Sequence, residues 1–216
     1  MKHTRRVTGP KKTFGPVSIR IKNPELVREK HLHIAKKASE LFIKKGFDRT
    51  TMRDISKATG MALGNLYDYI TKKEDLLSLA FDVYQEYVQT GLDYRQVTKI
   101  DDPEKMLRLL VRESLQNVQV FKEEIIVMYR ESKILPRKDL ERAMKLDMKR
   151  IKAIEHVIRQ GVEQGVFHVR DPFFAASMVF YQLVFLAFRG WTLQGKYSEK
   201  ETNDLLEEYI VSHLIA

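Results

Sequence analysis

Apolar residues recur along most of this 216-residue chain at the three-to-four-residue spacing of helices, and no useful stretch alternates with a period of two. In the segment that opens at Pro24, Ile34, Ala35, Ala38, Leu41 and Phe42 fall at i, i+1, i+4, i+7 and i+8, one apolar stripe, and Gly46 marks its stop. Three helix starts are written as an N-cap acceptor followed by proline at the first helical position: Asn23-Pro24, Asp102-Pro103 and Asp171-Pro172. Three more are written as capping boxes, Thr51 with Asp54, Thr71 with Glu74 and Ser198 with Glu201. The signals predict an all-α chain of about nine helices, at about 24–45, 51–59, 62–69, 72–94, 103–119, 121–134, 137–164, 172–194 and 199–214.

The densest of these signals lies between residues 50 and 76, where two short helices, a glycine turn and a third helix start follow one another. Ile55 and Ala58 face inward from the first, Gly60 supplies the left-handed turn, and Met61 is the apolar plug between the helices. In the second, Leu66 and Ile70, four apart, make one buried edge, and Leu63, Asn65, Tyr67 and Tyr69 spread over the remaining faces. This is the pattern of a helix-turn-helix. It divides the chain into a basic arm at residues 1–23, a helix-turn-helix domain at 24–71 and a larger helical domain at 72–216.

Charge sharpens that division. The formal net charge is +9, yet 18 of the 38 Lys and Arg and only 8 of the 29 Asp and Glu lie at or before Leu76, leaving 20 against 21 in the rest. The excess positive charge therefore travels with the helix-turn-helix, as expected of a surface that meets a polyanion. Residues 1–22 carry Lys2, Arg5, Arg6, Lys11, Lys12, Arg20 and Lys22 with no acid and two Gly-Pro pairs, the composition of a disordered arm. Such an arm either tracks phosphates or a minor groove, or is a plain tail; the residues leave both open. It has no apolar stretch of the kind a signal peptide needs, and the chain has no cysteine, so disulfides and thiolate metal sites are excluded and a cytoplasmic, nucleoid-associated protein is expected.

From Ile34 to Leu76 the residues resemble the DNA-binding domain of the tetracycline-repressor (TetR) family of bacterial regulators. The resemblance is carried by Ala35, Leu41-Phe42, Gly46, Thr51, Ile55, Ala58, Gly60, Gly64, Leu66-Tyr67, Tyr69 and Lys73-Glu74-Asp75-Leu76, about a fifth of the chain. It implies a three-helix head that binds palindromic operator DNA as a homodimer, and a C-terminal helical domain that encloses a small-molecule effector and makes the dimer interface. Carried over by position, Thr51 would hold a phosphate and Arg53 reach a base or phosphate. Leu63, Gly64 and Asn65 would face base edges, and Tyr67, Tyr69 and Lys73 would hold the DNA backbone. Ala62 departs from the family, which has Ser or Thr there, so the recognition helix lacks its capping hydroxyl. Ile70 replaces the usual phenylalanine.

The helix from Pro172 is apolar on nearly every face, which asks for burial on all sides. Its apolar run is short for a membrane span, contains Ser177 and Gln182 and closes at Arg189, so no membrane role is expected. One side can face its own core and the other a second subunit, with the helix at 199–214 as companion in a four-helix interface. Effector contacts are expected from Phe121, Tyr129, Arg130, Tyr181, Gln182 and Phe185, between the fourth helix and the helices of residues 103–189, although an aromatic stripe of this kind is more often plain core. Gln182 and the Tyr129-Arg130 pair interrupt apolar surroundings and are the better pointers. The expected effector is small and apolar or amphipathic, and the expected action is repression relieved by it. No cofactor and no metal are expected: His31 and His33 are two apart on different faces of a helix. No G-x-S-x-G elbow, Walker loop or H-E-x-x-H is present, which argues against an enzyme. The rival reading is a helical ligand carrier or interaction module whose basic end meets an acidic protein or lipid.

Overall fold

Three of the predicted proline-led starts are built as helix N-caps. In a computed structural model, which describes residues 23–91 and 100–215, the side chains of Asn23, Asp102 and Asp171 each accept backbone N–H groups from the first turn of the helix that follows. The predicted arm at 1–23 lies outside the described residues except for Asn23, as do residues 92–94 of the fourth predicted helix. Among the described residues the order is α1 (Pro24–Lys45), α2 (Met52–Thr59), α3 (Leu63–Tyr67), α4 (Asp75–Gly91), α5 (Pro103–Val120), α6 (Lys122–Arg130), α7 (Arg137–Glu163), α8 (Pro172–Arg189), a 3-10 turn (Gly190–Thr192) and α9 (Glu199–Ser212), with no strand.

The described residues fall into two compact units, 23–90 with 123–139, and 91 and 100–122 with 140–215. In the first, Val27, Ile34, Ala35, Ala38 and Phe42 of α1 form a continuous buried stripe. Ile55, Leu66, Ile70, Leu76, Leu77 and Phe81 supply further core of the same unit. The fourth helix starts later than its sequence suggests. Thr71 and Glu74 make no described capping box; Asp75 accepts from the Lys72 N–H at 3.1 Å, and residues 71–74 form bends and turns. Ser78 of α4 donates to the Asp139 carboxylate at 2.7 Å, and Arg28 of α1 pairs with Glu86 of α4 at 3.0 Å, so polar side chains as well as apolar ones hold this unit.

In the second unit α5 packs against both α8 and α9. Arg108 bonds Glu104, Glu207 and Glu208, Arg112 pairs with the buried Glu207, and Gln119 and Asn203 exchange side-chain hydrogen bonds across the α5–α9 seam. The capping box of Ser198 and Glu201 starts α9 as its sequence predicts. At the end of α7 the Phe167 ring lies directly on Gly161. A Cβ added to that glycine would stand 2.0 Å from one ring carbon and 2.4 Å from the next. The Gly161 carbonyl accepts from the N–H groups of Val166 and Phe167, which fixes the ring in place.

Candidate functional site

The head is assembled around the start of α2. Thr51 has extended backbone and its hydroxyl oxygen accepts from the Asp54 N–H at 3.2 Å. Asp54 returns the bond, accepting the Thr51 N–H at 2.9 Å and the Thr51 hydroxyl at 2.9 Å, and its other oxygen receives Lys45 Nζ at 2.7 Å. The Lys45 ammonium and the two Thr51 donors hold the Asp54 carboxyl well below the usual carboxylate range. Thus the last turn of α1 is tied to the first turn of α2 through one carboxylate. This bridge was missed in the sequence, although a lysine closing one helix and an acid at the third position of the next are its signal.

At the other end of α2, Gly60 sits in the left-handed region at φ 68. The Met61 N–H donates to the Ser56 carbonyl at 3.2 Å, and the Ser56 hydroxyl donates to the Met61 carbonyl at 2.6 Å, a two-way lock that sets the direction of the turn. The chain then enters α3 at Ala62, which offers no side-chain cap, as its departure from the family pattern implies. Leu66 is the one fully buried residue of α3 and anchors it to the core.

That geometry sorts the expected DNA-contacting residues. Arg53, Gly64, Asn65 and Tyr67 are exposed together on α2 and α3, Leu63 is half-buried beside them, and Thr51 is exposed at the N-terminus of α2. A Cβ added to Gly64 would meet nothing within 4 Å, so nothing inside the chain requires glycine at that position. The Thr51 hydroxyl proton is already given to Asp54, which leaves the first backbone N–H groups of α2 as the donors a phosphate would meet. Tyr69 departs from expectation. It is 6% exposed, its ring lies edge-on to that of His31, and its carbonyl accepts the His31 Nε2–H at 3.2 Å, so in the free chain it is packed in the core. Burial keeps the His31 ring below its ordinary pKa and hence neutral. Lys73 departs too: its ammonium turns inward onto the carbonyls of Phe47 and Asp48.

The expected effector residues are divided between the two units. Tyr129 and Arg130 are exposed at the end of α6, and α6 stops at Arg130 rather than continuing to 134. In the second unit Phe121 is buried, and Gln182 and Phe185 are half-buried on α8. Tyr181 is 67% exposed, because α8 turns Ala176, Val179, Leu183 and Ala187 inward and leaves Phe174, Met178 and Tyr181 on its outer side. Gln182, Val179 and Met178 line a groove with Phe174, Ile210 and Leu214, between α8 and α9. Among the described residues no group of His, Asp and Glu is placed to hold a metal.

A short recognition helix on a glycine turn, exposed polar side chains and a capped supporting helix define the class of helix-turn-helix regulators. Comparison with known proteins agrees. Residues 34–80 match the profile of the bacterial regulatory proteins of the tetR family, and residues 101–214 match that of the tetracyclin repressor-like C-terminal domain. The chain belongs to the TetR family of transcriptional regulators and is not an enzyme.

Among relatives, the HTH-type transcriptional repressor KstR2 of Rhodococcus jostii (strain RHA1) is 38% identical over 66 residues, 27% of this chain and 32% of that protein. The HTH-type transcriptional regulator HbdR of Aromatoleum sp. (strain CIB) is 26% identical over 119 residues, 53% of this chain and 50% of that protein. The matched stretch thus spans half or less of these curated relatives. The crystal structure of AibR in complex with isovaleryl coenzyme A and operator DNA shares the fold, with a TM-score of 0.69 and 21% identity over 83% of this chain and 97% of that one.

Proposed function

We propose that this chain is a transcriptional repressor that binds palindromic operator DNA as a homodimer in the cytoplasm and is released by a small apolar or amphipathic effector. The observation that carries the DNA-binding part is the exposed group of Arg53, Gly64, Asn65 and Tyr67 on a head with 11 Lys and Arg against 8 Asp and Glu in residues 23–76, preceded in sequence by seven more basic residues and no acid in residues 1–22. Arg53 and Asn65 have the donors and acceptors to read base edges, and Leu63 can sense a thymine methyl group. Tyr67, with about half of its surface exposed, would hold the backbone.

Dimerisation is supported by the outer face of α8 and α9, where Phe174, Met178, Tyr181, Leu205 and Tyr209 leave large apolar surfaces uncovered. The same helix is long and apolar enough to cross a bilayer, but a one-sided aromatic face beside an inward face packed on α5 fits a subunit contact better. Two heads joined in this way would set their recognition helices about 34–36 Å apart, one turn of duplex. Effector binding that shifts α4 would change that spacing, and a differential affinity of about 1–3 kcal/mol suffices for a roughly 5- to 150-fold change in operator binding. AibR holds isovaleryl coenzyme A, and acyl thioesters of coenzyme A are therefore the first amphipathic effectors to try on this chain.

Selection of duplexes from a random double-stranded library, with sedimentation of the chain alone, tests the reading. The expected result is a dimer and an enriched palindrome whose affinity falls steeply with salt while its preference persists. A monomer with no enriched site, or binding to acidic vesicles with no sequence preference, would refute it.

A further inference from the structure

Lys73 lies in the turn that precedes α4, and two of its three ammonium donors are directed at the segment between α1 and α2. Its ammonium donates to the Phe47 carbonyl at 2.9 Å and the Asp48 carbonyl at 3.2 Å, and stands 4.3 Å from the centre of the Phe47 ring. The Phe47 carbonyl also accepts the Thr50 N–H at 3.1 Å, and the Thr50 hydroxyl donates to the Gly46 carbonyl at 2.8 Å, so residues 46–50 make a closed turn. The Phe47 ring is buried against Phe42 of α1, with 5.0 Å between ring centres. One residue beyond Thr50 is Thr51, the cap of α2. The cation also sits at the carbonyl-rich end of α1, where helix and charge attract.

We propose that Lys73 is a positioning residue for DNA binding: it pins the α1–α2 turn to the start of α4, and so sets where Thr51 and Arg53 stand, without contacting a phosphate itself. The inference rests on the DNA-binding reading above. Two of the three ammonium donors are on carbonyls and the Phe47 ring takes up a further side of the cation, so a phosphate contact would require it to give up at least one of these partners. It would also loosen a side-chain link from the turn before α4 to the turn before α2. Lys72, next to it, is exposed and needs no such rearrangement to meet a phosphate.

The test uses the full chain with Lys73→Met, which keeps the aliphatic stem, and Lys73→Arg, which can still donate to two carbonyls. In the free protein, hydrogen exchange of amides in residues 47–55 should accelerate by roughly 10-fold or more in Lys73→Met, while buried amides of α1 at residues 34–38 keep their rates. On a labelled duplex recovered by selection with the wild-type chain, Lys73→Met should weaken binding by about 5-fold or more at a temperature where the variant is fully folded. The slope of log affinity against log salt should match wild type, and Lys73→Arg should recover most of the loss. A slope reduced by about 1.8, the mark of one lost phosphate contact in each subunit of the dimer, would overturn the proposal, and so would unchanged exchange in residues 47–55. If the wild-type chain selects no duplex, the DNA-binding reading falls, and the exchange measurement alone decides whether the pin exists.

Discussion

Gly64→Ala separates stability from recognition in a single methyl group. The added Cβ meets no heavy atom within 4 Å, and the Gly64 backbone is not among the left-handed positions, so neither clash nor strain opposes it. Alanine is better than glycine in a helix by about 0.8–1 kcal/mol, and less of that is realised in the short first turn of α3. The free chain should therefore be unchanged or more stable by up to about 1 kcal/mol, a rise in Tm of about 2–4 °C for a chain of this size. The operator complex should respond in the opposite sense. If Gly64 lies against base edges, the methyl group must be accommodated by retreat of α3, and overpacking of this kind costs about 1–3 kcal/mol per site. A palindrome presents the site twice, so the loss is about 2–6 kcal/mol, at least ~30-fold in affinity. Fluorescence anisotropy on the selected duplex and thermal unfolding of the free chain measure the two halves. Operator affinity within about 3-fold of wild type, with Tm unchanged or raised, would remove Gly64 from the interface. A fall in Tm would show that the space around it is not open.

Gly161→Ala should do the reverse: its Cβ would stand 2.0 Å from the buried Phe167 ring, and the displaced ring should cost about 2–4 kcal/mol by denaturant titration. With Phe167→Ala already present, the same substitution should be neutral or stabilising by up to about 1 kcal/mol; additive losses would contradict the contact. Arg53→Ala and Asn65→Ala should each relax discrimination at one base pair by about 1–3 kcal/mol, read from a panel of single-base operator variants. Leu205→Glu with Tyr181→Glu should give a folded monomer by sedimentation, since both side chains are exposed in the single chain. Burial raises the Glu124 carboxyl from 4.5 to about 7, so the folded chain holds a proton there that the unfolded chain has released, and stability falls as pH rises between those values. His31, with its pKa lowered by burial, acts oppositely: stability is lost as pH falls below the ordinary value of 6.5. Glu124→Gln should leave the His31 trend alone and raise stability most at and above pH 7, by at most about 3 kcal/mol at ~1.4 kcal/mol per pH unit; an unaltered pH profile from 4.5 to 7.5 would refute this.

Local signals were read best where chemistry repeats over three or four residues. The caps at Asn23, Asp102 and Asp171 and the boxes at Thr51 and Ser198 each need only neighbours in sequence, and each is built as written. The Thr71 start is displaced along the chain: Asp75 accepts the Lys72 N–H, one residue beyond the pair that the sequence suggests, and α4 begins at Asp75. Tyr69 and Lys73 were assigned outward by family position, yet their partners, His31 and Phe47, lie 38 and 26 residues away, beyond any local pattern. That Tyr181 stands on the outer side of α8 was not legible either, because a helix apolar on every face carries no periodic clue to which side is inner.

One consequence of Leu66 being the sole buried anchor of α3 concerns how new specificities arise. In the proposed complex the exposed positions Gly64, Asn65 and Tyr67 would answer to the nucleic acid rather than to the scaffold. Target choice could then drift, or be transplanted from a cousin by exchanging those three residues, while the supporting helices and their caps go on unaltered.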